Sequence, residues 1–189
     1  MLEIGFPLRL ERGTVILRQW TAADFEFYAA HLGDKVTAQY IGGAIDKQKA
    51  WRHLASLIGH WTLRGFGVYA CEDRASGRLL GSAGLWQPHG WPCREFAFWF
   101  RPEAYGGDCA AEAAQLALDH VRVAFPDEQV TGFIHPENRP ALALAGRLGG
   151  IAEGEVTLFD FGLHVRIAYR PSTARSASAL TPTDEENAC

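Results

Sequence analysis

Apolar positions change period along the chain, and each change marks an element. Thr14 to Trp20 forms a short apolar run of strand type. Thr21 follows as an N-cap, with Asp24 three residues on and Phe25, Tyr28, Ala29 and Leu32 at helical spacing up to Gly33. A second helix is predicted from about Asp46 to Arg64, where Trp51, Leu54, Ile58 and Trp61 recur on one stripe before Gly65. Trp20, Trp51 and Trp61 are expected to face inward as core filling. The runs Phe66 to Glu72, Arg78 to Trp86 and Arg94 to Arg101 read as strands, separated by turn-forming segments. A helix is then expected from about Ala110 to Phe125, stopped by Pro126. Gln129 to Ile134 reads as a strand and Asn138 to Leu148 as a helix. Glu153 to Phe159 and Leu163 to Arg170 read as a hairpin turning at Asp160, Phe161 and Gly162.

The resulting order, a strand, two helices, a three-strand meander, two strand and helix crossings and a final hairpin, implies a mixed sheet flanked by helices. At 189 residues the chain is expected to form one domain over 1–170. Positions 171–189 are rich in Ser, Thr and Ala, end in an acidic cluster, and are expected to be a disordered tail.

Composition narrows the function classes. The chain is 48% hydrophobic and 21% charged, with no apolar run approaching a membrane span, and its start lacks the pattern of a secretion signal. A cytoplasmic protein with reduced cysteines is expected, without a membrane role. The formal charge of −4 gives no bulk electrostatic reason to bind nucleic acid. Cys71, Cys93, Cys109 and Cys189 have no metal-type or redox-type spacing, and His53 and His60 stand two helical turns apart, so no metal site is expected.

The stretch from Glu95 to Ala113, EFAFWFRPEAYGGDCAAEA, runs from an aromatic strand through a glycine loop into an alanine-rich helix. Loop glycines let an anion approach the backbone, and the first helical turn offers unpaired N–H donors at the positive end of the helix dipole. Gly106 and Gly107 therefore read either as a phosphate loop or as a tight turn. Asp108 reads either as a charge that repels an incoming diphosphate or as the N-cap of the helix, its carboxylate on the same amides. At about 5 Å such a repulsion amounts to about 1–3 kcal/mol.

Element order and motif together resemble the GNAT superfamily of acyl-coenzyme A dependent N-acetyltransferases, nearest to its Rim-type ribosomal-protein N-terminal branch. Glu95, Trp99, Pro102, Glu103, Gly106, Ala110, Glu112 and Ala113 stand in register with one stretch of that branch, and Pro136, Glu137, Asn138, Leu148 and Gly149 with another. The resemblance implies the GNAT fold, an α/β (α+β) architecture with a mixed, mostly antiparallel sheet. It further implies acetyl-CoA as co-substrate and an amine acceptor, either a protein N-terminus or a small amine, in a monomer or homodimer.

By the same resemblance the acetyl group passes directly to the amine. Backbone groups of Phe98, Trp99, Phe100 and Arg101 would hold the pantetheine arm, with the Phe98 or Trp99 N–H facing the developing oxyanion. The amides from Gly106 and Gly107 through Asp108, Cys109 and Ala110 would hold the phosphates. Asn138 would reach the pantetheine arm, cap its own helix, or do both. Glu95 is the candidate base, the alternative being a surface carboxylate at a hairpin end. Cys109 is expected to pack rather than react. The acceptor is expected between 32–45 and the hairpin near 159–164, with His89 either at its mouth or solvated.

The family's serine after the Asn is Ala141 here, and Ala145 stands where many members place a tyrosine, so neither can protonate a departing thiolate. With Asp108, these departures motivate a second reading, a GNAT-fold binding or regulatory module without catalysis.

Overall fold

The computed structural model describes residues 6–105 and 107–170; Gly106 and the expected tail over 171–189 lie outside them. Eight strands form one sheet: β1 (Arg9–Arg12), β2 (Val15–Arg18), β3 (Val68–Asp73), β4 (Leu79–Trp86), β5 (Glu95–Phe100), β6 (Val130–Ile134), β7 (Ile151–Thr157) and β8 (Leu163–Tyr169). Their spatial order is β1-β2-β3-β4-β5-β6-β8-β7. Every neighbouring pair is antiparallel except β5 and β6, which run parallel and share a single register point, Glu95 opposite Thr131.

Helices α1 (Phe25–Gly33) and α2 (Lys47–Arg64) cover one face, and α4 (Asp108–Ala124) and α5 (Arg139–Arg147) the other, with a single turn, α3 (Pro102–Tyr105), entering α4. Alternation along β3 separates the two cores: Val68 and Ala70 join Trp20, Tyr28, Leu54 and Leu57 under α1 and α2, whereas Tyr69 and Cys71 join Leu118 and Val121 under α4. Ala113, Ala114 and Ala117 bring α4 close to the sheet, since none carries a side chain beyond Cβ.

The N-terminal part of α1 is tied to the sheet by ions. The Arg18 guanidinium donates to both carboxylate oxygens of Asp24, at 2.9 and 2.8 Å, and to Glu72 of β3 at 2.8 Å. Asp24 also accepts from the Thr21 N–H at 2.8 Å, closing a capping box. These bonds fix the roll of α1, which decides where Tyr28 and His31 point.

The structure adds four short elements to those expected, β1, α3 and 3-10 turns at Ala22–Asp24 and Phe159–Phe161, and shifts others, α1 itself beginning at Phe25. β1, Arg-Leu-Glu-Arg, is a largely exposed edge strand with no buried residue and hence no alternation to read. α3 is too short to show a period. α4 begins at Asp108 rather than Ala110, and β7 spans Ile151–Thr157 rather than beginning at Glu153. Trp51 does not face inward: it is 50% exposed and packs edge-on against Phe25 at 5.0 Å. The buried stripe of α2 is Ala50, Leu54, Leu57, His60 and Trp61, so the helix is rolled away from the Trp51 and Ile58 side.

Leu118 lies wholly buried between α4 and the sheet. Leu118→Ala is expected to destabilise the fold by about 2–5 kcal/mol, measurable as a lower denaturant midpoint with an unchanged slope.

Candidate active site

Strands β5 and β6 touch at their start and then separate. The Thr131 N–H donates to Arg94 O at 3.2 Å, but no register point follows Glu95 and Thr131. Backbone direction alternates along a strand, and Arg101 N–H donates to Leu80 O of β4 at 2.8 Å. Trp99, two residues earlier and opposite Ser82, therefore also turns its backbone groups to β4, whereas Phe98 and Phe100 turn theirs into the gap. Of the four residues expected to bind the cofactor arm through their backbone, two face the gap and two do not. Of the two amides expected as oxyanion donors, that of Phe98 turns into the gap and that of Trp99 does not. Phe100 N–H meets the Tyr105 hydroxyl oxygen at 3.4 Å.

Glu95 sits at the point of separation, and it is no surface residue: only 8% of it is exposed. The Trp91 indole N–H donates to its Oε2 at 2.9 Å, and the Phe133 N–H of β6 also hydrogen-bonds it. Burial pushes its carboxyl up to about 8, against the two hydrogen bonds, which favour the ionised form. Side chains at 95, 97 and 99 share the face of β5 that α1 and α2 cover. Between the carboxyl of Glu95 and the indole of Trp99 stands only the methyl of Ala97.

The space that Ala97 leaves is a cavity of about 200 Å³, lined by Glu95, Tyr28, His53, Trp86, Trp91 and Trp99, with further residues from the loop before α2 and from the β7 to β8 turn. Tyr40 and Ile41 belong to the first of these segments, and Leu158, Phe161 and His164 to the second, both in the regions expected for the acceptor. The Tyr28 hydroxyl and His53 Nδ1 share a hydrogen bond of 2.6 Å. His31 stacks on Trp99 with ring centroids 3.8 Å apart, and burial holds its imidazole down at about 4. His60 is fixed as the Nδ1–H tautomer, since Nδ1 lies 2.9 Å from Phe66 O and Nε2 accepts from Gln87 N–H at 3.1 Å. His89 is exposed and does not line the cavity; Trp91, two residues on, takes that place. The sequence singled out neither Trp91 nor the tyrosine and histidine pair, because only the folded turn before β5 and the roll of α1 against α2 bring them together.

On the opposite face, α4 starts beside the gap. Its N-cap is Gly107, with no side-chain cap, and Gly107 N–H is itself used by Ala104 O at 3.2 Å. The donors left at the helix start are the amides of Asp108, Cys109 and Ala110. Asp108 is therefore not the N-cap; it is the first helical residue, its carboxylate fully exposed and 3.4 Å from the Arg147 guanidinium of α5. Cys109 Sγ lies 3.7 Å from the Thr14 hydroxyl and packs against the core. Asn138 caps α5, its Oδ1 accepting from Ala141 N–H at 3.3 Å. Ala141 and Ala145 are buried on the inner side of α5.

A mixed sheet parted between two parallel strands, with an uncapped helix start beside the parting, defines a fold of the acyl-transferring class. The family model of the acetyltransferase (GNAT) domain matches residues 14–151. The chain belongs to the GNAT acetyltransferase family. An acetyltransferase from Agrobacterium tumefaciens str. C58 is similar in structure with a TM-score of 0.78 at 22% identity, over 90% of this chain and 98% of that one. A GnaT-family protein of Bordetella pertussis matches with a TM-score of 0.71 at 26% identity, over 86% of this chain and 99% of that one. The ribosomal-protein-S5-alanine acetyltransferase of Vibrio fischeri shares the fold with a TM-score of 0.69 at 12% identity, over 90% of this chain and the whole of that one. Among the described residues, no helix is long and apolar enough to cross a membrane.

The raised carboxyl of Glu95 has a consequence for stability. Below its ordinary value near 4.5 the group is protonated whether folded or not; between there and about 8 it ionises only on unfolding. Its burial therefore destabilises the fold progressively across that window, and no further above it. Glu95→Gln keeps an acceptor oxygen for Trp91 and Phe133, so its melting temperature relative to the parent chain is expected to rise between pH 5 and 8. A pH-independent difference would show that the carboxyl is not buried as described.

Proposed function

We propose that this chain transfers the acetyl group of acetyl-CoA to a primary amine by direct attack, with Glu95 as general base. The carrying observation is the separation of β5 from β6 with a buried carboxyl at its apex. The thioester arm extends along the free edge of β5, bonded to Phe98 and Phe100, and its phosphates meet the Asp108, Cys109 and Ala110 amides. The amine nitrogen attacks the acetyl carbon, and the Phe98 N–H stabilises the oxyanion. The amine's proton passes to the Glu95 carboxylate, directly or through a water, as the C–N bond forms. The C–S bond breaks, and the departing thiolate takes its proton from water, since Ala141 and Ala145 supply none.

The acceptor amine belongs to a protein N-terminus, as the Rim-type resemblance suggests, or to a small molecule. The non-catalytic reading is weakened at one of its three supports, because Asp108 is not the N-cap and its exposed carboxylate lies 3.4 Å from the Arg147 guanidinium. It keeps the other two, Ala141 and Ala145, but a thiol near pKa 8–9 by analogy with cysteine leaves without a dedicated acid.

Acetyl-CoA at 100 times its dissociation constant is expected to stabilise the fold by about 2.7 kcal/mol, read as a higher melting temperature; no shift at millimolar ligand would defeat the proposal. Because Glu95 works as the carboxylate, turnover should climb with pH and level off above about 8. Glu95→Gln should abolish that climb and lower kcat by about 10²–10⁴-fold while leaving the acetyl-CoA melting shift in place.

A further inference from the structure

We infer that the cavity at Glu95 selects a small primary monoamine, its amino group carried on one aromatic ring or a compact aliphatic body. The inference deepens the acetyl-transfer reading and rests on it. Size is the first argument. The cavity measures about 200 Å³, below the roughly 300–1,000 Å³ of pockets for drug-sized ligands and just above the roughly 150 Å³ that admits a benzene ring. The acetyl group must also enter it from the strand gap, which leaves room for little more than one ring.

Charge is the second argument. Among the described residues, Glu95 is the only acid in the lining, and no lysine, arginine or aspartate joins it. One amino group has a carboxyl to meet. A second ammonium, as in a polyamine or aminoglycoside, would be buried without a counter-charge, which is strongly unfavourable. The indoles of Trp86, Trp91 and Trp99 in the lining supply apolar cover for a ring.

Polar capacity is the third argument, and it separates a small amine from a peptide. A peptide N-terminus brings N–H and C=O groups that need partners once buried. Several polar side chains of this wall are already engaged within the protein: Ser82 donates to Tyr69 O at 2.9 Å, the Tyr28 hydroxyl and His53 Nδ1 bond each other, and His164 Nδ1 meets Gly162 O at 3.0 Å, which leaves few groups to serve a buried peptide unit. Phe161 narrows the path by which a chain would leave the cavity. Phe161 lies 6.1 Å from Trp91 between ring centroids, and it sits so close to Gly42 that a Cβ there would come within 3.2 Å of its ring.

The test follows thiol release from acetyl-CoA by the full chain with 2-phenylethylamine, isoamylamine, spermidine and an alanyl tetrapeptide amide, alongside the acetyl-CoA melting shift. We expect kcat/KM for 2-phenylethylamine to exceed that for spermidine and for the tetrapeptide by at least 100-fold. Phe161→Ala, which widens that path without touching Glu95, should narrow the gap to the tetrapeptide at least tenfold. Equal or better use of spermidine or the tetrapeptide overturns the monoamine assignment and leaves acetyl transfer standing. A melting shift with no turnover of either monoamine overturns it too. Absence of both shift and thiol release removes the acetyl-transfer reading and this inference with it. An unchanged ratio in Phe161→Ala overturns the role given to Phe161.

Discussion

The fold depends on one pairing, that of Glu95 with Thr131, because it joins two halves of the sheet that otherwise have no register in common. Before it, β5 completes an antiparallel meander; beyond it, β6 and β8 form their own antiparallel unit. A single register point lets the accumulated twist of the two units pull β5 and β6 apart. The consequence is a run of β5 backbone whose inner edge lacks strand partners, in the interior of a sheet where such groups are normally paired. Phe100 finds a partial substitute in Tyr105, but Phe98 has no strand opposite. An extended ligand that adds itself as a short strand completes this edge, the same physics by which peptides augment exposed sheet edges.

That geometry also explains why a carboxyl can be buried at the apex. The Phe133 N–H, which an ordinary parallel neighbour would have engaged, is left free by the separation and turns to Glu95. With the Trp91 indole it supplies two donors to one carboxyl, enough to keep the group hydrogen-bonded but too few to keep it ionised against its burial. A carboxyl held close to neutrality suits the general base proposed for it: a much lower value would leave too weak a base, a much higher one too little of the ionised form. Neutral His31, stacked on Trp99, adds no charge that would upset this balance.

Most of the architecture was legible because its elements bury one face each. The runs Arg94 to Arg101 and Gln129 to Ile134, and the helices after Asp46 and Asn138, fall where periodicity puts them. β1 escaped because an exposed edge strand has no buried side to betray it, and Trp51 misled because a tryptophan on an amphipathic helix can pack on a neighbouring surface ring instead of the core. The candidate site was legible along the chain but not across it. Glu95 and the residues of β5 could be chosen from one stretch of sequence. Which backbone groups face the gap depends on strand register, and the burial of Glu95 depends on Trp91 folding back over it. The pairing of Tyr28 with His53 depends on the roll that Arg18 and Asp24 impose on α1.

Asp108, read in the sequence as a charge against a diphosphate or as a helix cap, takes neither the N-cap position nor an unpaired place in the fold. In the first turn of α4 its carboxylate lies along the favourable end of the helix dipole, worth about 0.3–1 kcal/mol to the helix. The same charge would oppose an arriving diphosphate by a comparable or larger amount if it faced the amides. Gly107 holds the N-cap position, and the exposed aspartate carboxylate lies 3.4 Å from the Arg147 guanidinium, whose positive charge partly offsets it. An exposed pair of this kind contributes little to stability. Its effect is on the local field at the start of α4, where Gly107 supplies no side-chain cap.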